Sequence, residues 1–154
     1  MCIRDSNDSQ QGTLVLQDVY QGLSTEVQRG EVKSLQIIEQ VPRVGTINGM
    51  ALFGHWTVIG RGTMYVRRLI GTVPVEADGS AHFVAPANRD ISFNLLDAEG
   101  RAIRHMGSTT QILPGETIGC VGCHDSRDSS PVHASAPVPR ALRREPAGRA
   151  GGFF

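Results

Sequence analysis

Cys120-Val121-Gly122-Cys123-His124 places two thiols three positions apart, with an imidazole directly after the second. C-x-x-C-H is the attachment pattern of c-type haem. Two thiols at that spacing can each form a thioether with a haem vinyl group. The adjoining histidine is then brought under the iron as an axial ligand. Cys120 and Cys123 are therefore the cofactor-binding candidates, covalently attached haem c is the expected cofactor, and His124 is the expected iron ligand. Gly119 and Gly122 suit the reading, because small residues let a backbone approach a flat macrocycle closely.

Other chemistries use the same residue types. A structural zinc site would take Cys120, Cys123 and His124 or His133, but it needs four ligands and there is no second C-x-x-C. A redox-active dithiol belongs in a βαβ setting that this chain does not display, and a plain disulfide between Cys120 and Cys123 is the simplest alternative. For a sixth iron ligand the candidates are His55, His82, His105, His133, Met50, Met64 and Met106. Met106 and His105 stand out beside a position left open. Being neighbours, they face opposite sides of any strand, so at most one of them can reach the iron.

The elements that would carry the motif read as strands. Residues 13–20 (TLVLQDVY) alternate apolar and polar, as a half-buried strand does. Residues 32–41 (VKSLQIIEQV) form a second strand, closed by Pro42. Residues 42–64 hold five glycines and Trp56, and periodicity leaves them as a long loop or one short strand. Residues 69–76 (LIGTVPVE) and 81–85 (AHFVA) flank Asp78-Gly79, a strong hairpin signal. Val73 and Val75 would share a core face with Ala81 and Phe83. Residues 91–97 (ISFNLLD) put Ile91, Phe93 and Leu95 on one face, and a turn at 98–100 leads into 101–113. No segment carries a helical stripe and no internal repeat exists. Six or seven short strands with frequent turns predict a mostly β chain, an antiparallel β-sandwich-like domain ending in the short C-x-x-C-H segment.

Composition agrees. Fifteen Lys+Arg balance fifteen Asp+Glu, so charge makes no case for nucleic acid or an anionic membrane as partner. No apolar run approaches the ~20 residues of a membrane-spanning helix. Residues 1–12 are polar, without the apolar stretch of a signal peptide, and MCIRDS resembles translated adapter sequence. Residues 125–154 hold four of the eight prolines and no period, so a disordered linker or tail is expected there. The haem domain is then expected over 13–124.

The chain resembles the haem-bearing middle domain of the hydrazine synthase alpha subunit family. The resemblance lies in LQDVYQGL (16–23), RGEVKSLQIIE (29–39), GTVPVEADGSAHFVAPA (71–87), ISFNLLDAEGRAI (91–103) and PGETIGCVGCH (114–124). It implies a β-rich module carrying one c-type haem within a larger secreted multihaem protein, with Cys120 and Cys123 attaching the haem and His124 as the motif histidine. In hydrazine-forming members a tyrosine soon after the motif is associated with the iron. Here no tyrosine follows Tyr65, and DSRDSS (125–130) follows His124, so hydrazine synthesis itself is not expected.

The expected function is thus an exported c-type haem domain, an electron-transfer unit within a larger multidomain cytochrome rather than an enzyme on its own. Its partners would be a redox protein or neighbouring haem domains. Haem is attached to reduced thiols outside the cytoplasmic membrane, so a periplasmic or otherwise exported location is expected, with the sequence a fragment that lacks its signal peptide. Two alternatives are a catalytic haem acting on small nitrogen compounds and a haem-free β-sandwich binding module supported by Trp56.

Overall fold

A computed structural model of the chain describes residues 10–42, 46–47, 50–51, 65–123 and 138–148. Nine strands run through them: β1 (Gln11–Leu16), β2 (Ser34–Pro42), β3 (Thr46–Ile47), β4 (Met50–Ala51), β5 (Tyr65–Pro74), β6 (Ala81–Pro86), β7 (Ile91–Leu96), β8 (Ala102–His105) and β9 (Thr117–Cys120). The only helical element among them is a 3₁₀ turn over Arg140–Arg143. The fold is mostly β, as the patterning predicts.

Two sheets enclose the core. One has the order β5-β2-β7-β8 and is antiparallel throughout; the other has the order β6-β1-β9. The second sheet is mixed, because β9 joins β1 in parallel, whereas only antiparallel pairing was expected. Strand alternation puts Leu14 and Leu16 of β1, Leu35 and Ile37 of β2, Phe83 and Ala85 of β6, and Ile91 and Leu95 of β7 into one buried cluster. Phe83 meets Phe93 edge-on, with ring centroids 5.7 Å apart. Such a pair adds about 0.5–1.5 kcal/mol to its area burial.

The Asp78-Gly79 turn forms, but it does not close a hairpin. The Gly79 N–H donates to Glu76 O, and the Glu76 N–H to Ser80 O. Beyond that the arms part: β5 pairs with β2, and β6 pairs with β1. Pro74 ends β5 without an N–H to continue a ladder, and the Val75 N–H donates instead to Lys33 O. The turn is therefore a corner between sheets. The expected core face survives, since Val73, Ala81 and Phe83 are buried and Val75 packs against them.

Gly79 sits at φ +86°, and a Cβ there would lie 2.2 Å from Asp18 Oδ1. Gly100 also has positive φ, at +76°, but open space around it. Gly100→Ala is expected to cost about 1 kcal/mol, from backbone conformation alone. Gly79→Ala should cost about 2–3 kcal/mol, because it also displaces Asp18. Urea midpoints of the two variants check the difference.

On β2, the buried Glu39 carboxylate is gripped by Arg68 of β5 and Arg89 of the β6–β7 turn. Burial alone would raise its pKa, but the hydrogen bonds and charges of the two guanidinium groups hold it below the ordinary carboxylate value. At Asp78 burial likewise acts upward and is outweighed, there by the Ser80 hydroxyl and the backbone N–H groups of Arg140 and Ser80. A depressed carboxylate adds stability above its unfolded pKa, and that stability is lost as pH falls through the folded pKa. The protein should therefore lose stability below about pH 4, and Glu39→Gln should flatten that acid limb. At neutral pH the substitution should cost about 1–2 kcal/mol, less than for a fully buried pair, because both arginines are half exposed. Thermal midpoints across pH check both statements.

Residues 138–148 depart from the expected unstructured tail. Ala147 pairs with the open edge of β6, accepting from the Val84 N–H and donating to His82 O. Ala141 is fully buried and its N–H donates to Ser80 Oγ, while the Arg140 N–H donates to Asp78 Oδ2. Arg144 Nε donates to Glu76 Oε1 at 2.7 Å. Small alanines fit against the corner, and an unpaired strand edge supplies bonding groups to a stretch that has no apolar period of its own.

Candidate functional site

The C-x-x-C-H segment begins on a strand, β9. Gly115, at φ 73°, turns the chain back, and its N–H donates to Gln11 O. The Glu116 carboxylate caps this turn by accepting from the Leu113 N–H. Residues 117–120 then run beside β1 with Thr117 opposite Thr13, Ile118 opposite Leu14, Gly119 opposite Val15 and Cys120 opposite Leu16. The ladder is closed at one end by Thr13 N–H to Glu116 O (2.8 Å) and at the other by Gln17 N–H to Cys120 O (2.9 Å).

Register decides where the sulfurs lie. Cys120 is level with the buried Leu16, and its half-buried thiol packs against the apolar cluster that includes Leu14, Leu16 and Val19. Cys123, also half-buried, packs against the same cluster. Both stand as thiols rather than as a disulfide. Burial pushes the Cys120 thiol up, so it is held as neutral S–H at neutral pH. A dithiol exchange catalyst needs the opposite shift.

The glycines that precede the two thiols have different reasons. A Cβ on Gly119 would meet nothing within 4 Å, so open space lies beside the strand there. A Cβ on Gly122 would lie 2.3 Å from Gln21 O and 2.9 Å from Asp18 O. The protein's own backbone fills the space over Gly122, whereas no described residue covers Gly119.

The turn that receives Gly122 is braced from two sides. The Gln21 N–H donates to Asp18 O, and the Tyr20 N–H to Asp18 Oδ1. Arg29 ion-pairs with the Asp18 carboxylate and stacks over the Tyr20 ring, 5.2 Å from its centroid. The Tyr20 hydroxyl accepts from the Gly30 and Val32 N–H groups. On the corner side, the Val19 N–H donates to Gly79 O. Sequence reasoning did not single out Asp18, Tyr20 or Arg29. Their spacing carries no motif, and the only clue was their place inside the segments that resemble the family.

A c-type haem fits the residues described. The donor set is two half-buried thiols with an apolar wall behind them; the open side at Gly119 is the opposite face of β9. His124 lies outside the described residues, as do His55, His133, Met64, Trp56 and the side chain of Met50. Among the described residues no group of three His, Cys, Asp or Glu side chains is placed to share a metal ion. His105 is exposed and Met106 half-buried at the end of β8, the edge strand of the four-stranded sheet, whereas Cys120 ends the edge strand of the other. His82 Nδ1 lies 3.3 Å from Arg144 O, against the docked 138–148 segment.

Comparisons with known proteins agree with the resemblance read from the motifs. The profile of the hydrazine synthase alpha subunit middle domain matches residues 30–125. Among solved structures, the chain is similar to Kuenenia stuttgartiensis hydrazine synthase, with a TM-score of 0.65 and 17% identity over 92% of this chain. It spans 21% of that chain's length. No curated protein sequence matches. No helix among the described residues is long and apolar enough to cross a membrane.

Proposed function

This chain belongs to the hydrazine synthase alpha subunit middle-domain family, and from that premise we propose that it is an exported c-type haem domain that passes electrons within a larger multidomain protein. The observation that carries this reading is the pair of half-buried thiols, Cys120 and Cys123, held three positions apart beside one apolar wall. Each thiol would add across a vinyl C=C, its sulfur bonding to one carbon and its hydrogen passing to the other, so no oxidant is needed. Neutral S–H at Cys120, kept so by burial, is the form that brings that hydrogen. His124 follows Cys123 directly and would supply the axial imidazole. Bound haem supplies an iron that takes up and returns one electron.

The chain's own part is attachment, orientation and control of solvent. The cluster around Leu14, Leu16 and Val19 limits water behind the sulfurs, and such burial is one lever on haem potential. Because that attachment takes place outside the cytoplasmic membrane, an exported location follows from the same reading. The partners are neighbouring haem domains or a redox protein. The test is to direct the full chain to the periplasm of a host with cytochrome c maturation machinery and record the alkaline pyridine spectrum. A c-type haemochrome is expected. A colourless protein overturns the reading in favour of a haem-free β module.

A further inference from the structure

Gly122 is the one glycine of the motif that the protein itself crowds. Two of the three atoms nearest its missing Cβ are backbone oxygens, Gln21 O at 2.3 Å and Asp18 O at 2.9 Å. Backbone held in a turn cannot swing away as a side-chain tip can. Residues 18–21 are such a turn, pinned through the Asp18 carboxylate by Arg29 and through the Tyr20 hydroxyl by residues 30–32. Cys120 is fixed separately, by its ladder to β1. Residues 121–123 run on beyond β9, and Gly122 seats them against the Asp18–Gln21 turn.

We propose that Gly122 and the Asp18–Gln21 turn form a template that presets the separation of the Cys120 and Cys123 thiols before any haem is attached. Gly122 is a positioning residue here, and the tie to haem rests on the function proposed above. The template itself is a property of the bare polypeptide. It explains why the turn between the thiols is pressed against the domain, and it gives the Asp18–Arg29 pair a task beyond surface charge.

The test compares wild type, Gly119→Ala, Gly122→Ala and Asp18→Ala as full chains made without haem and kept reduced. Iodoacetamide alkylation is followed by fragment-ion mass spectrometry, which assigns the label between Cys120 and Cys123 within their shared peptide and separates both from Cys2. In Gly122→Ala the rate at Cys123 relative to Cys120 should rise roughly 10-fold, since residues 121–123 lift off while β9 stays paired. Gly119→Ala, with its Cβ in open space, should leave that ratio within about 2-fold of wild type. Asp18→Ala, which removes the pin but not the glycine, should raise it by an intermediate factor and decides the matter if Gly122→Ala does not fold. A wild-type ratio in both Gly122→Ala and Asp18→Ala overturns the template, as does an equal rise at both cysteines. Matured in the periplasmic host, Gly122→Ala should accumulate protein with haem on one sulfur only, seen as a shifted haemochrome band and as one alkylatable thiol on the haem-bearing peptide. If wild type itself takes up no haem, the functional reading fails while the alkylation result still decides the template.

Discussion

Replacing both Cys120 and Cys123 with alanine is expected to abolish covalent haem completely while the domain stays folded. Both thiols lie at the rim of the apolar cluster rather than at its centre, and alanine keeps the ladder of β9 to β1, which is made by backbone groups. The bare fold should therefore lose only about 1 kcal/mol per site from reduced packing. Loss of colour with an unchanged far-ultraviolet spectrum separates a failure of attachment from a failure to fold. The single variants sharpen the result, because one remaining thiol can hold haem by one thioether, giving a lower yield and a shifted absorption band. His124→Ala should differ again. It leaves both sulfurs in place and should give covalent product whose spectrum is altered at the iron. Absorbance per mole of protein across the four variants checks the whole series.

Phe83→Ala is expected to be the most damaging single change to the fold. Phe83 is buried to 1% exposure, stacks edge-on to Phe93, and lies on β6, the strand whose edge receives Ala147. Truncating such a side chain costs about 3–5 kcal/mol in lost transfer energy and residual cavity. That is a large part of the ~5–15 kcal/mol that holds a domain of this size. Phe83→Leu keeps most of the volume and should cost about 1.5 kcal/mol or less. Guanidinium unfolding should show the midpoint falling steeply for alanine and slightly for leucine. Because the 138–148 segment docks on the same strand, protease cleavage within it should accelerate in the alanine variant first.

Alternation made the core legible. Leu14 and Leu16, Leu35 and Ile37, and Ile91 and Leu95 are buried where a period of two places them. Asp78-Gly79 announced a turn correctly but not what it joins. Whether two strands after a turn pair with each other depends on long-range partners, and here Lys33 O took the Val75 N–H. The parallel edge strand β9 was not legible for a related reason: residues 117–120 are too few to show a period, and β1 supplies the template. Residues 138–148 look unfoldable alone because they are few, carry two prolines, and leave their larger apolar side chains, Val138 and Leu142, exposed. They gain order from the open edge of β6 and from Asp78 and Ser80, which no local pattern reports.

The site divides in the same way. The pairing of Cys120 and Cys123 was visible in their spacing, because the proposed thioether attachment would constrain neighbours in sequence. The seat of Gly122 was invisible, because Asp18 and Gln21 are about a hundred positions away and touch it with backbone oxygens that every residue type possesses. A glycine read as room for a cofactor is instead room for the protein. Gly119, one residue before the first thiol, keeps the open side.

Intact mass of the matured full-length chain tests the central claim most directly. The account predicts a species heavier than the polypeptide by one haem, stable to denaturant and acid acetone and traced by peptide mapping to Cys120 and Cys123. Only the unmodified polypeptide mass, from a preparation in which a control c-type cytochrome is fully matured, would contradict it.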